Sequence, residues 1–286
     1  HTQYMLRLPT DAPEPLDKGL LTMADYAGGM LFLDEEVAKE RGVVLEELRL
    51  GRDAQTRIFE KALGIILAGT LYPERLTIGK KELIEKFTRR QCVDYYKKWY
   101  RPDRMGVVVV GDIDPALVEK KIKELFSVIP AAADAEPLPV FGAPEHKEVR
   151  AGIITDPEMP VSTSMIVFTR PPRRDRAVGD YRQGLERDFA YGIYNDRLKE
   201  LTLKDNPPFK DAGAGDYWPM IGMDIVAIYS MAEMKKEKKA LAALVTEAER
   251  IRRHGVLPEE LEEQKKRTSE ALRAAVEEKD KMESSG

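Results

Sequence analysis

Apolar residues recur at helical spacing over most of this chain and at strand spacing in a few short runs. The clearest helical stretch is Asp34 to Gly51, reading DEEVAKERGVVLEELRLG, in which Val37, Val44, Leu45 and Leu48 form one apolar arc. Asp34 reads as its N-cap, with Glu35 and Glu36 in a first turn where the helix dipole favours negative charge. Ahead of it, Thr2–Leu8 alternates as a strand with Tyr4, Leu6 and Leu8 on one face. Pro9, Pro13 and Pro15 then delay the next helix to about Leu16 or Asp17, and Gly28-Gly29 ends it. Beyond the acidic helix the helical pattern continues through Ile58, Leu63, Ile66 and Leu67 to Gly69. A loop over Tyr72–Gly79 precedes two short helices, Lys80–Phe87 and Thr88–Tyr100, the second rich in aromatic residues.

Met105–Gly111 is a short apolar run of the kind that makes a strand buried on both faces. Asp114 and Pro115 then supply a cap and a first helical residue for Pro115–Phe126. The stretch 130–144, with four prolines and a run of alanines, is the evident linker between a first domain (1–129) and a second (145–286). The second is predicted to hold strands near Lys147–Thr155 and Ser162–Arg170, a helix over Gln183–Leu201, and a hairpin of Ala212–Trp218 with Met223–Met231. Two charged amphipathic helices follow, marked by Leu241, Leu244, Ala248 and Ile251, and by Leu257, Leu261, Leu272 and Val276.

Composition narrows the classes. The 286 residues suffice for two cored domains, and 34% charged with 43% hydrophobic residues is a globular balance. A net charge of −4, from 46 basic and 50 acidic residues well mixed, gives no electrostatic case for nucleic acid or an anionic membrane. No apolar run reaches the roughly 18–20 residues that span a bilayer. The lone Cys92 excludes an internal disulfide and a Cys-rich zinc site, and reads as a small packed side chain.

The candidate chemistry lies on the acidic helix. Glu40 and Glu47, seven residues apart, stack on one side of it, bracketed by Val43 and Val44. Carboxylates inside an apolar arc call for a cation, a proton or donors facing them. Two answers stay open from the residues alone: a ligand role, or neutralisation by Arg41 or another basic group. Other candidates are weaker. Gly111-Asp-Ile-Asp114 offers one glycine and two acids, which repel phosphate. The arginines at 170, 173, 174 and 176 read as a solvated basic turn rather than an anion site. His146 and His254 read as surface residues, and the three histidines are too far apart in sequence to complete a metal site locally.

Lys39-Glu-Arg-Gly-Val-Val-Leu-Glu-Glu47 resembles the downstream zinc-ligand segment of the pitrilysin/insulinase (M16) metallopeptidases. In that family a His-x-x-Glu-His helix gives two zinc ligands and the general base, and a later helix gives a glutamate as third ligand. Three further landmarks follow in the family's order. His-Thr-Gln-Tyr at the start is similar to a strand beside the substrate-binding edge. Tyr100–Asp114, YRPDRMGVVVVGDID, resembles a strand-to-helix junction, and Gly255–Leu261, GVLPEEL, a late helix–helix turn. His-x-x-Glu-His itself is absent, so the chain resembles a fragment lacking that segment.

The resemblance implies an α/β (α+β) fold of two related sandwich domains, mostly antiparallel sheets flanked by helices. It implies a parent zinc endopeptidase that hydrolyses peptides in an enclosed chamber, with Zn2+ as cofactor. A zinc-bound water would be deprotonated by the absent glutamate. Glu47 would touch the metal and Glu40 would orient the ligands. The fragment would be inactive alone, its zinc absent or weakly held. Its partners would be peptide substrates and a missing half or homologous subunit that closes the chamber, with no nucleic acid and no membrane span. The family also uses an Arg and a Tyr for substrate, and Phe209 stands where that Tyr falls. A bacterial periplasm is the compartment the resemblance suggests. The alternative is a non-catalytic structural or partner subunit of the same fold.

Overall fold

A computed structural model describes residues 2–131, 137, 148–173, 176–220 and 222–279. In chain order the elements are α1 (Pro13–Ala24), α2 (Asp34–Leu50), α3 (Ala54–Ile66), α4 (Lys81–Ile84), α5 (Arg89–Trp99) and α6 (Pro115–Phe126). They are followed by β1 (Ser162–Arg170), α7 (Val178–Thr202), β2 (Asp211–Met220), β3 (Met223–Ala232), α8 (Glu237–His254) and α9 (Pro258–Glu278). Two units are distinct. The first takes the described residues of His1–Leu50 and Thr77–Leu138, and the second those of Gly51–Leu76 and Pro139–Lys281. Thus α3 precedes the Pro/Ala-rich stretch in the chain yet belongs to the second unit.

The first unit is helical. α1 begins at Pro13, earlier than expected, because a proline at the first helical position lacks only an N–H that would be unpaired anyway. A π-helical turn, Asp25–Gly29, extends it, and the Tyr26 carbonyl there accepts from the Tyr96 hydroxyl at 2.8 Å. Leu8 packs into the space a Cβ on Gly19 would need, and Lys121 of α6 pairs with Asp17 of α1. Thr88 caps α5 in a reciprocal box with Gln91, and Asp114 caps α6 by accepting from the Ala116 and Leu117 amides.

The second unit is built on a three-stranded antiparallel sheet in the order β1-β3-β2. β1 pairs with β3 from Ser162↔Ala232 to Arg170↔Asp224, and β2 pairs with β3 from Asp211↔Met231 to Met220↔Met223, with a bulge between Asp216 and Trp218. Successive β3 side chains serve opposite faces. Ile228 and Ala232 join Tyr194 and Leu198 of α7, Phe209, and Ala240 and Leu244 of α8. Met223 and Ile225 join Leu63 and Leu67, at and just beyond the end of α3. Arg57 of α3 grips Asp156 with two bonds of 2.8 and 2.9 Å and reaches Glu158 at 2.6 Å. α9 lies on α7 through polar contacts. Arg197 holds both oxygens of Glu260 at 2.6 and 2.7 Å, and Asp196 accepts from Gln264 at 2.6 Å. Gly255, at φ 74°, ends α8 in a conformation that suits glycine.

Mixed helix and antiparallel sheet is the fold class expected, and the hairpin, α6 and both final helices fall where the pattern put them. Three expected strands are corrected. Residues 2–8, 105–110 and 148–155 carry no sheet ladder among the described residues. Apolar alternation sets which side chains can share a face, but a strand exists only where a neighbour takes its backbone groups. The helical run after α2 is also interrupted: Asp53 caps a new helix by accepting from the Thr56 amide at 2.7 Å. Most of the 130–144 linker, His146, Arg174 and the last residues lie outside the described residues.

Candidate functional site

α2 begins with Asp34, Glu35 and Glu36 and closes with Arg49 in its last turn, the charge order its dipole favours. Val37 is its one buried residue among those described, while Val44, Leu45 and Leu48 are half-buried. Local pairs occupy the outer face: Lys39 donates to Glu36 at 2.6 Å, and Arg49 to both oxygens of Glu46 at 2.5 and 2.9 Å. These bonds from Arg49 lower the Glu46 pKa.

Glu40 and Glu47 are both exposed, and neither makes a hydrogen bond or ion pair among the described residues. The expected burial of the pair is therefore corrected, because the arc turns Val37 inward and leaves the carboxylates outside. Arg41 is not their counter-ion. It donates to the Phe87 carbonyl at 2.8 Å, with its guanidinium 5.2 Å from the Phe87 ring centre. A zinc site needs at least three protein ligands at tetrahedral spacing. No three His, Cys, Asp or Glu side chains gather among the described residues. Among the described residues Glu47 stands as a single carboxylate with no such group of side chains gathered beside it.

A groove of about 350 Å³ opens in the same unit, walled chiefly by Tyr4, Phe32, Phe87, Tyr95, Tyr96 and Tyr100. Phe32, just ahead of α2, is left-handed at φ 51°, and Arg89 holds it there by donating to its carbonyl at 2.6 Å. Tyr4 and Tyr100 share a 2.6 Å hydroxyl–hydroxyl bond. Cys92 lines this groove half-buried, and burial pushes its thiol pKa up, away from reactivity. The aromatic spacing of α5 was the one sequence signal for the groove. Its other wall comes from distant segments.

In the second unit Arg170 is committed to internal pairs, at 2.7 Å from Asp216 and 3.5 Å from Asp224. The Arg173 amide donates to Asp224 at 2.8 Å, and the Tyr191 hydroxyl to Asp216 at 3.0 Å. Phe209 is buried in the helix-covered core, where it contacts no solvent-side ligand space. His254 is exposed at the end of α8.

The sequence profile of one family, described as the Peptidase M16 inactive domain, matches residues 86–268. The chain belongs to the M16 peptidase family. An Arabidopsis thaliana protein named zinc protease PQQL-like is 32% identical over 209 residues, which is 73% of this chain and 22% of that protein. The probable zinc protease PqqL of Escherichia coli is 27% identical over 277 residues, 96% of this chain and 30% of that one. This chain therefore spans less than a third of either relative. Among solved structures, the first half of the periplasmic protease PqqL from E. coli superposes with a TM-score of 0.88 at 26% identity, covering 96% of this chain and 59% of that one. Pitrilysin superposes with a TM-score of 0.60 at 16% identity, covering 86% of this chain and 27% of that one, and so shares the fold. α2 lies upstream of the stretch the family profile matches, whereas the two E. coli matches each cover 96% of this chain.

Proposed function

We propose that this chain is part of a zinc-dependent endopeptidase acting on peptides in an enclosed chamber, and that it is inactive by itself. Glu47 supplies one ligand to a Zn2+ whose other ligands lie outside this chain, and Glu40, two turns earlier on the same side of α2, orients that ligand set. What supports this most is the pair itself: two exposed carboxylates on one helix face, engaging no cation among the described residues, in a chain similar along 96% of its length to a protein named probable zinc protease PqqL. In the same proposal residues 1–129 are the later part of a first, zinc-site domain. Residues 145–286 are the early part of a second domain, and 130–144 join them. The remaining polypeptide or a homologous subunit closes the chamber, and the periplasm of the E. coli relative is the compartment taken.

The test is made in the parent protein. Glu47→Gln keeps the side-chain shape and removes the anion, so zinc content drops sharply. Glu40→Gln leaves zinc largely bound while turnover falls by about 10–100-fold. Full zinc and full turnover in Glu47→Gln would sink the assignment. A second reading, a non-catalytic subunit of the same fold, is favoured by the matching profile, whose description is an inactive domain. Reading the parent sequence upstream of residue 1 separates the two: His-x-x-Glu-His with either histidine replaced selects the non-catalytic subunit.

A further inference from the structure

α2 is thinly packed for a helix that carries the candidate chemistry. Val37 is its one buried residue among those described, and Val44, Leu45 and Leu48 are only half-buried, so apolar contact alone fixes its rotation poorly. Two arginines make up for this, both at the corner Phe87-Thr88-Arg89 between α4 and α5. Arg41, half-buried on α2, donates from Nη2 to the Phe87 carbonyl at 2.8 Å and sets its guanidinium 5.2 Å from the Phe87 ring centre. In the other direction, Arg89 donates from Nε to the Phe32 carbonyl at 2.6 Å and from Nη2 to the Leu31 carbonyl at 3.3 Å. Those carbonyls lie just ahead of the first turn of α2. Phe32 is held there at φ 51°, its ring edge-on to Tyr96 with centres 5.2 Å apart. The corner is itself fixed, because Thr88 and Gln91 close the capping box of α5.

A side chain needed only to fill this space would not be an arginine. The buried Nε of Arg41 meets no acceptor among the described residues, and a buried donor without a partner counts against stability. Methionine would cover the Phe87 ring without that defect. What arginine adds is a directed bond and a planar face at once, from the residue next to Glu40. The gain lies in where the carboxylates stand. Side chains reach about 5–6 Å from a helix axis, so a roll of about 10° moves them by about 1 Å. A misplacement of that size can cost about 100-fold in a positioned reaction.

We propose that Arg41 and Arg89 are positioning residues that clamp α2 to the α4–α5 corner and thereby set where Glu40 and Glu47 stand. The proposal rests on the reading of Glu47 as a zinc ligand, and a carboxylate oxygen is a donor that zinc accepts. The sign of the effect separates a clamp from a mere charge. Arg41 is a cation beside a proposed cation site, so by charge alone its removal would tighten zinc binding. As a clamp, its removal weakens zinc binding.

Chelator competition for zinc, with kcat and KM measured alongside, tests this in the parent protein carrying Arg41→Met, Arg41→Lys, Arg89→Met or Glu47→Gln. Arg41→Met should hold zinc about 10–100-fold more weakly. Its kcat should fall with little change in KM, since neither arginine is assigned a contact with substrate. Arg41→Lys can still donate to the Phe87 carbonyl and should recover most of the affinity; a lysine no better than methionine overturns the proposal. Arg89→Met should shift affinity in the same direction, and at its exposed position it carries the test where Arg41→Met does not fold. Zinc held as tightly as in the unsubstituted parent, or more tightly, in these methionine variants overturns the clamp when Glu47→Gln has lost its zinc. Zinc retained in Glu47→Gln overturns the ligand assignment, and the clamp's purpose with it.

Discussion

Phe209 offers a direct measurement of what this fold uses an aromatic side chain for. The family resemblance put a substrate-side tyrosine at this position, whereas Phe209 is 2% exposed and packed with Tyr194, Leu198, Ala232, Ala240 and Leu244. Phe209→Ala removes a ring from that cluster and should cost about 3–5 kcal/mol in cavity and transfer terms. Phe209→Leu keeps most of the volume and should cost under about 1.5 kcal/mol. Phe209→Tyr adds a hydroxyl to an apolar core and should cost about 1–3 kcal/mol. With a urea m-value of about 2 kcal/mol per M, those losses move the unfolding midpoint down by roughly 1.5–2.5, 0.7 and 0.5–1.5 M respectively. Urea titrations followed by far-UV circular dichroism, on the same chain with each substitution, read all three. A tyrosine variant as stable as the parent sequence, together with an alanine variant within about 0.5 kcal/mol, would show that position 209 is open to solvent and that its core role here is mistaken.

Arg57 holds the Asp156 carboxyl at about 2, below its usual 3.8, chiefly through the paired hydrogen bonds. A depressed acid stabilises the fold above its unfolded pKa and loses that contribution as pH falls from about 4 to about 2. Asp156→Asn should thus be less stable at neutral pH and show a flatter acid limb than the unsubstituted chain; identical acid limbs would refute the pairing. Burial pushes the Tyr194 hydroxyl up to about 12, and it donates to the Leu244 carbonyl at 2.9 Å. Its contribution is complete below about pH 10 and lost as pH rises toward 12, and Tyr194→Phe should cost about 1 kcal/mol at neutral pH, measured by urea titration. Arg197→Gln removes the two-pronged grip on Glu260 and should loosen α9 by about 1 kcal/mol. Trypsin should then clip α9 faster in low salt, with the difference shrinking in high salt. Equal clipping rates at both salt levels would mean that α9 is held by something else.

Much of this architecture is written locally. Asp114-Pro115 marks the start of α6, and Thr88 with Gln91 marks α5. Alternation either side of position 221 gives the β2–β3 hairpin. These signals need only a few neighbouring residues. The misplaced start of α1 came from reading Pro13 as a breaker where it is a first-turn residue. The break at Asp53 was legible in Asp53-x-x-Thr56 but hidden by the continuous apolar pattern around it. The segments at 2–8 and 105–110 could not be settled locally, since strand pairing depends on a partner distant in sequence. The proposed roles, Glu47 as a zinc ligand and Glu40 as the carboxylate that orients the ligands, came from family resemblance alone. Helical spacing found them on one side of α2, but it suggested burial, and only the packing of Val37 and the diversion of Arg41 to Phe87 show that they face outward.

The membership of α3 in the second unit changes how this protein can be divided. The chain leaves the first unit after Leu50 and re-enters it at Thr77, so the order of residues and the order of folded bodies do not coincide. A cut in the Pro/Ala-rich stretch, the natural choice from sequence, would yield a downstream piece deprived of Leu63 and Leu67. Met223 and Ile225, each 1% exposed, would lose the residues that cover them. Such a piece should aggregate, whereas one that carries residues 51–76 on a tether keeps that face of its sheet dry. During synthesis the same arrangement makes residues 51–76 wait until 147 further residues have followed (from Leu76 to Met223, the first residue of β3) before their packing surface exists. Folding of the second unit is in that sense bound to the chain's own history and not only to its final contacts.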